Sequence, residues 1–295
     1  MTNQNINVYT LIKPEIIKLR KVGIKTAILD CRLLLSKSLG RKLTLYNHEN
    51  VNISKNEIEY FKTLIVQRLS GKPVSRIINK RDFWKKEFKL NEETLDPRPD
   101  SETLIESVLE HYRDKLQAIK ILDLGSGSGC LGLSLLDEYH NSKVSFFDIS
   151  EKSLEIVKIN SLNFGFSDRS KFVHLDWRDR EWDLNLIKIE NDTKFDILIS
   201  NPPYIPAGEI KKLQKEVREY DPFIALNGGK DGLNAYKLII PKLRNILKKN
   251  GKIFFEIGKG QEKFISSIAM EYGLLPIQYK KDLSGINRVI VFIIK

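Results

Sequence analysis

From about residue 102 to the C-terminus, apolar runs of strand length alternate with segments of helical period, and this pattern restricts the fold more than any other feature of the chain. Strands are expected at Ile119–Leu124, Val144–Phe147, Phe172–Leu175, Phe195–Ser200, Ile253–Ile257, Leu275–Tyr279 and Val289–Ile294. Helices are expected at Leu131–Tyr139, from a cap at Ser150 to about Asn163, at Leu233–Lys248 with a stop at Asn250-Gly251, and at Phe264–Tyr272. Residues 181–193 read as a polar loop. Strands joined by helical crossovers lie parallel. The expected fold class is therefore α/β: a doubly wound, mostly parallel, seven-stranded Rossmann-like sheet.

The N-terminal part differs. Ile12, Ile16 and Leu19 repeat at helical spacing, as do Ile28, Cys31, Leu34 and Leu35. Ile58, Phe61, Ile65 and Leu69 continue the pattern on a helix that Ser54 caps, and Gly23 and Gly40 are stops. Residues 7 to about 70 thus read as a small helical bundle. Arg81–Trp84 and Glu87–Leu90 are short aromatic segments, closed by Asp96-Pro97-Arg98-Pro99-Asp100. The expected domains are a helical one over 1–79, a β-hairpin linker over 80–97 and the α/β domain over 98–295.

A length of 295 residues suits two domains. No apolar run approaches the ~18 residues of a membrane-spanning helix, and Met1–Tyr9 is too polar for a signal peptide. Cys31 and Cys130 each sit in an apolar helical pattern, which suggests buried free thiols and a reducing, cytoplasmic compartment. The net charge of +11 comes from scattered lysines, so it reads as compositional, with nucleic acid not required as a partner. His48, His111, His140 and His174 are not spaced as metal ligands, and no metal is expected.

Three constellations carry chemistry, and each falls at the carboxyl end of an expected strand, where open α/β sheets bind ligands. In the first, Asp123-Leu124-Gly125-Ser126-Gly127-Ser128-Gly129 joins strand to helix, and Asp148 ends the next strand, 25 residues after Asp123. The glycines let a ligand approach bare backbone, and an acid at the second strand end is placed to accept from ribose hydroxyls. The spacing is neither the phosphate-binding loop of nucleotide hydrolases nor the dinucleotide fingerprint. Asp123 suits a cationic amine, which points to S-adenosylmethionine. The second is Asp176-Trp177, an acceptor for an adenine amine beside an aromatic wall; alone, it reads as a strand-end turn. The third is Asn201-Pro202-Pro203-Tyr204. Its prolines end the strand and stiffen the corner, which presents an amide, carbonyls and a ring suited to a planar amino group.

Together these motifs resemble the S-adenosylmethionine-dependent methyltransferases that modify planar nitrogens. More closely, the chain resembles the peptide chain release factor N5-glutamine methyltransferases (the HemK/PrmC family). Arg98-Pro99-Asp100-Ser101-Glu102 is similar to that family's Arg-Pro-(Asp/Glu)-Thr-Glu segment, with serine in the threonine position. Asp221–Leu226 with Gly228–Leu233, Glu256-Ile257-Gly258 and Gly285–Val289 also match, so the resemblance covers about residues 60–295. It implies methyl transfer to the glutamine of the Gly-Gly-Gln loop of class 1 release factors, with S-adenosylhomocysteine as product. The cofactor would be held by Asp123, Gly125, Ser126, Gly127, Gly129, Asp148, Asp176, Trp177 and Asn201. Asn201, Pro202, Pro203 and Tyr204 would bind the substrate. Within that corner, Asn201 and the Pro202 carbonyl would hold the amide and Tyr204 would pack beside it. Arg98, Asp100 and Glu102 would shape the pocket or cap the helix that follows. The helical domain would recognise the partner, and the enzyme would act as a monomer. A ribosomal-protein glutamine methyltransferase, a DNA adenine or RNA guanine N-methyltransferase, and an RNA-binding protein on a relic of the fold stay open as alternatives.

Overall fold

The computed structural model describes residues 4–43 and 49–294. Two compact units emerge: Met1–Lys80 with Gln214–Tyr220, and Arg81–Leu213 with Asp221–Lys295.

In the smaller unit, β1 (Gln4–Asn7) pairs antiparallel with β2 (Asn50–Ile53), and helices α1 (Val8–Lys21), α2 (Ala27–Leu39), α3 (Lys55–Leu69) and α4 (Val74–Ile78) surround one core. Ile12, Ile16, Leu19, Cys31, Leu34, Leu35, Phe61 and Ile65 fill that core, as their helical spacing requires. Ser54 caps α3 through a capping box with Glu57. The β1–β2 ribbon departs from the all-helical expectation. Val51 and Ile53 are buried while Asn50 and Asn52 are exposed, a period of two too short to stand out in the sequence. Cys31 is buried, and burial first, then Asp30 and Glu15, pushes its thiol up to about 12.

Hairpin strands β3 (Lys80–Phe83) and β4 (Lys86–Lys89) belong, from Arg81 on, to the larger unit. The hairpin is no free linker, because Phe83 and Phe88 are buried in the core of the α/β unit. The main sheet comprises β5 (Lys120–Leu124), β6 (Lys143–Asp148), β7 (Ser170–His174), β8 (Phe195–Ser200), β9 (Leu247–Glu256), β10 (Leu274–Lys281) and β11 (Asn287–Ile294). Its order is β10-β11-β9-β8-β5-β6-β7. Strands β9 to β7 of that order run parallel, while β11 is antiparallel to both its neighbours. Alternate side chains enter different cores: Leu122, Leu198, Phe147 and Phe255 go to one, and Ile121, Ile199, Phe146 and Phe254 to the other. Both faces are therefore covered, as a doubly wound sheet requires.

Helix α5 (Glu102–His111) begins at the end of the Arg98–Glu102 segment, α6 (Cys130–Glu138) and α7 (Glu151–Phe164) lie where the periodicity places them, and Ser150 caps α7. Two expectations fail. Residues 181–193 contain α8 (Trp182–Ile189), whose Trp182 and Leu186, four apart, are both buried. The long helix expected over Leu233–Lys248 is Asn234–Ile239, a 3-10 turn at Ile240–Lys242 and Leu243–Ile246. Pro241 interrupts the helical ladder, and Leu247 already pairs with Phe195 in the sheet. Among the described residues, no helix is long and apolar enough to cross a membrane.

Candidate active site

The carboxyl ends of β8, β5, β6 and β7, adjacent in the sheet, open onto one cavity of about 480 Å³. Gly125, Ser126, Gly127, Asp148, Asp176 and Trp177 line it, as do Asn201, Pro203 and Arg98.

The glycine loop turns sharply after β5. The Gly125 and Ser126 amides donate to the Phe147 carbonyl at 2.8 and 3.0 Å. Gly129, at φ 78°, forms the left-handed N-terminal residue of α6, and a Cβ there would lie 2.7 Å from Val157 Cγ1. Gly129 therefore shapes the loop from behind and does not line the cavity. Asp148 accepts from the Gly127 amide at 2.8 Å and from the Ser150 amide at 2.9 Å, which ties the second strand end to the loop. Burial raises its carboxyl above the ordinary range, against those amides.

Asp123 departs from the expectation of direct contact with a ligand amine. It lies beneath the loop, 1% exposed, with Oδ2 accepting from the Gly132 amide at 2.9 Å. Its Oδ1 is buried without a hydrogen-bond partner, and burial lifts the carboxyl to about 7. Asp176 lines the cavity but is also gripped by Arg178, whose Nε lies 2.7 Å from Oδ2. Burial works to raise this carboxyl, and the Arg178 hydrogen bonds outweigh it. Trp177 stacks parallel to Phe147 at 6.2 Å and walls the cavity beside Gly125.

At the end of β8, Asn201 and Pro203 face the cavity, whereas Pro202 is buried. Tyr204 is drawn out of the expected place beside the ligand, because its hydroxyl donates to Glu256 Oε1 at 3.1 Å and its ring packs on the core. Residues 221–229 run beside this corner, with the Ile205 amide donating to the Leu226 carbonyl and the Gly228 amide to that of Ile205. Arg98 pairs with the buried Asp221. Asp100 and Glu102 do not line the cavity. Asp100 pairs with Arg288, and Glu102 accepts from the Trp84 amide, so neither side chain caps α5.

Lining residues to which the motifs gave no role are Ser101, Phe223 and Ile224, which lie inside the matched segments, and Cys130 and Leu238, which do not. Cys130 is only partly buried, contrary to expectation, because it begins α6 at the cavity wall. Glu256, in the matched Glu256-Ile257-Gly258 segment, ends β9 next to β8, at the carboxyl edge of the sheet. Among the described residues, no group of three His, Cys, Asp or Glu could hold a metal ion; His48 lies outside the described residues.

Residues 96–218 match the methyltransferase small domain, and residues 16–78 match the PrmC N-terminal domain. A release factor glutamine methyltransferase of Bradyrhizobium diazoefficiens is 37% identical over 277 residues, covering 92% of this chain and 90% of its own. A bifunctional methyltransferase of Rickettsia prowazekii is 36% identical over 291 residues, 92% of this chain and 54% of its own, so the chain spans about half of that relative. Among solved structures, a release factor-specific protein-(glutamine-N5) methyltransferase from Alicyclobacillus acidocaldarius aligns at TM-score 0.42 and 22% identity, over 68% of this chain and 94% of that one.

Proposed function

The chain belongs to the release factor glutamine methyltransferase family, and on that premise we propose that it methylates the side-chain amide nitrogen (N5) of the Gly-Gly-Gln glutamine of class 1 peptide chain release factors. The observation that carries this reading is the Asn201 carboxamide on the wall of the same cavity as the glycine loop and Asp148.

The walls suit S-adenosylmethionine. Ser126 presents a buried hydroxyl without a partner, Asp148 and Asp176 supply acceptors, and Trp177 offers a flat face. These residues, with Gly125 and Gly127, would hold the cofactor, while Asp123 would add negative charge from beneath the loop. Bound there, the cofactor supplies a methyl group made electrophilic by its sulfonium.

An amide nitrogen is a poor nucleophile because its lone pair is delocalised, so the protein must position it and favour charge on nitrogen. Asn201 Oδ1 and the Pro202 carbonyl serve as acceptors for its two N–H groups, strengthening as positive charge develops. Among the described residues no lysine or histidine lines the cavity; the proton leaves after transfer, once positive charge on the nitrogen has made it acidic. Tyr204 supports the corner through Glu256. The helical N-terminal unit recognises the release factor, in the cytoplasm, and the enzyme acts as a monomer.

The test uses labelled S-adenosylmethionine and purified release factor, with its Gly-Gly-Gln glutamine intact or replaced. Label is expected only on the intact factor; label that survives the replacement, or that appears on nucleic acid alone, refutes the reading. Asn201→Ala is expected to lose transfer and keep cofactor affinity.

A further inference from the structure

A carboxamide is ambiguous. Turned one way Asn201 offers an acceptor to the cavity, and turned the other way a donor. Only the first orientation suits a substrate –NH2, and the second would suit a carboxylate. The corner itself does not choose between them.

The choice is made by residues far away in sequence. Asn201 Nδ2 donates to Ser101 Oγ at 3.3 Å. Ser101 in turn donates its own proton to Glu256 Oε2 at 2.5 Å. The other oxygen of Glu256 accepts from the Tyr204 hydroxyl, and the Tyr236 hydroxyl donates to the Glu256 backbone carbonyl at 2.6 Å. Glu256 is 1% exposed and Ser101 3%. A hydroxyl has one proton. With that proton committed to Glu256, Ser101 can offer Asn201 only a lone pair, and only Nδ2 can meet it. Asn201 Oδ1 accepts from no protein group among the described residues, and Ser101 and Asn201 both line the cavity.

We propose that Ser101 and Glu256 are positioning residues that fix the polarity of the Asn201 carboxamide, so that the site selects a glutamine amide over a glutamate carboxylate. This rests on the proposed transfer to a release-factor glutamine. The buried carboxylate pins the serine hydroxyl, the serine pins Nδ2, and Oδ1 is left to receive the substrate N–H. Removing the hydroxyl frees the carboxamide to turn. Threonine in place of Ser101 keeps the hydroxyl and the relay. Glutamine in place of Glu256 can donate to Ser101, which turns the serine proton toward Asn201 and reverses the whole chain of donors.

The test compares wild type, Ser101→Ala, Ser101→Thr and Glu256→Gln, each checked for folding by its melting temperature. Turnover is measured on release factor with its Gly-Gly-Gln loop. The same factor carrying Gly-Gly-Glu is the competitive inhibitor, so affinity from the rest of the factor cancels in the ratio. Ser101→Ala and Glu256→Gln are expected to lower kcat about tenfold, and to shift the ratio of glutamate-factor KI to glutamine-factor KM about tenfold toward the glutamate factor, the worth of one directed hydrogen bond. Ser101→Thr should stay near wild type in both. Lower kcat with unchanged discrimination overturns the proposal, as do wild-type kcat in Ser101→Ala or failure of Ser101→Thr to restore either quantity. If Ser101→Ala does not fold, the near-isosteric Glu256→Gln decides by the same ratio. Absence of glutamine methylation by the wild-type enzyme would instead refute the functional reading beneath it.

Discussion

Asp123→Asn is expected to stabilise the ligand-free protein at neutral and alkaline pH, although it alters the glycine-loop motif. Burial lifts this carboxyl from 3.8 to about 7, with the Gly132 amide opposing and the Asp148 charge assisting. Between those values the folded protein binds more protons at this position than the unfolded chain does. The group's contribution to stability is therefore full below the unfolded value and is lost as pH rises through the folded one. At about pH 8, ionising Asp123 inside the fold costs on the order of 4 kcal/mol. Asparagine carries no charge, and its Oδ1 can keep the bond to the Gly132 amide. Its Nδ2 then occupies the place of the unpartnered oxygen, and a buried unpaired donor costs about 1–3 kcal/mol. The net gain is about 1–3 kcal/mol at about pH 8, or roughly 2–6 °C in melting temperature. Thermal unfolding of both proteins from about pH 5 to about pH 8 measures it. The variant's advantage should shrink as pH falls. An equal difference at both ends of the range, or a variant that melts lower at the alkaline end, would refute the argument.

Three other substitutions probe separate parts of the structure. Trp177→Ala removes the wall stacked on Phe147 and should weaken S-adenosylmethionine binding by about 1–3 kcal/mol, the worth of a base–aromatic stack; titration calorimetry reads this, and an unchanged Kd contradicts the cofactor placement. Gly129→Ala puts a side chain on a left-handed residue and against Val157, so urea denaturation should show a loss of roughly 2–4 kcal/mol. Ser54→Ala breaks the capping box of α3 and should lower stability by about 1 kcal/mol in chemical denaturation, with cofactor affinity unchanged.

Much of the fold was legible along the chain. Period-two and period-3.6 apolar spacing identifies elements one at a time, which is why the seven strands of the main sheet and the caps at Ser54 and Ser150 appear in both readings. Where a segment is short or mixed, spacing gives no clear signal. The ribbon at Asn50–Ile53 and the helix at Trp182–Ile189 became visible only with the cores that bury them. The same limit applies to the turn at Pro241, where pairing of Leu247 with Phe195 fixes the end of the helix.

The sequence by itself determined that a glycine loop, two acidic strand ends and an Asn-Pro-Pro-Tyr corner would share one edge of a parallel sheet, because strand ends in a doubly wound fold face the same way. Only the tertiary structure decided which of their atoms reach the cavity. Asp123 and Tyr204 are diverted by partners at Gly132 and Glu256, while Asn201 is oriented from Ser101, 100 positions earlier. Hydrogen-bond polarity is set by whichever groups packing brings within about 3 Å, and no local pattern along the chain records that.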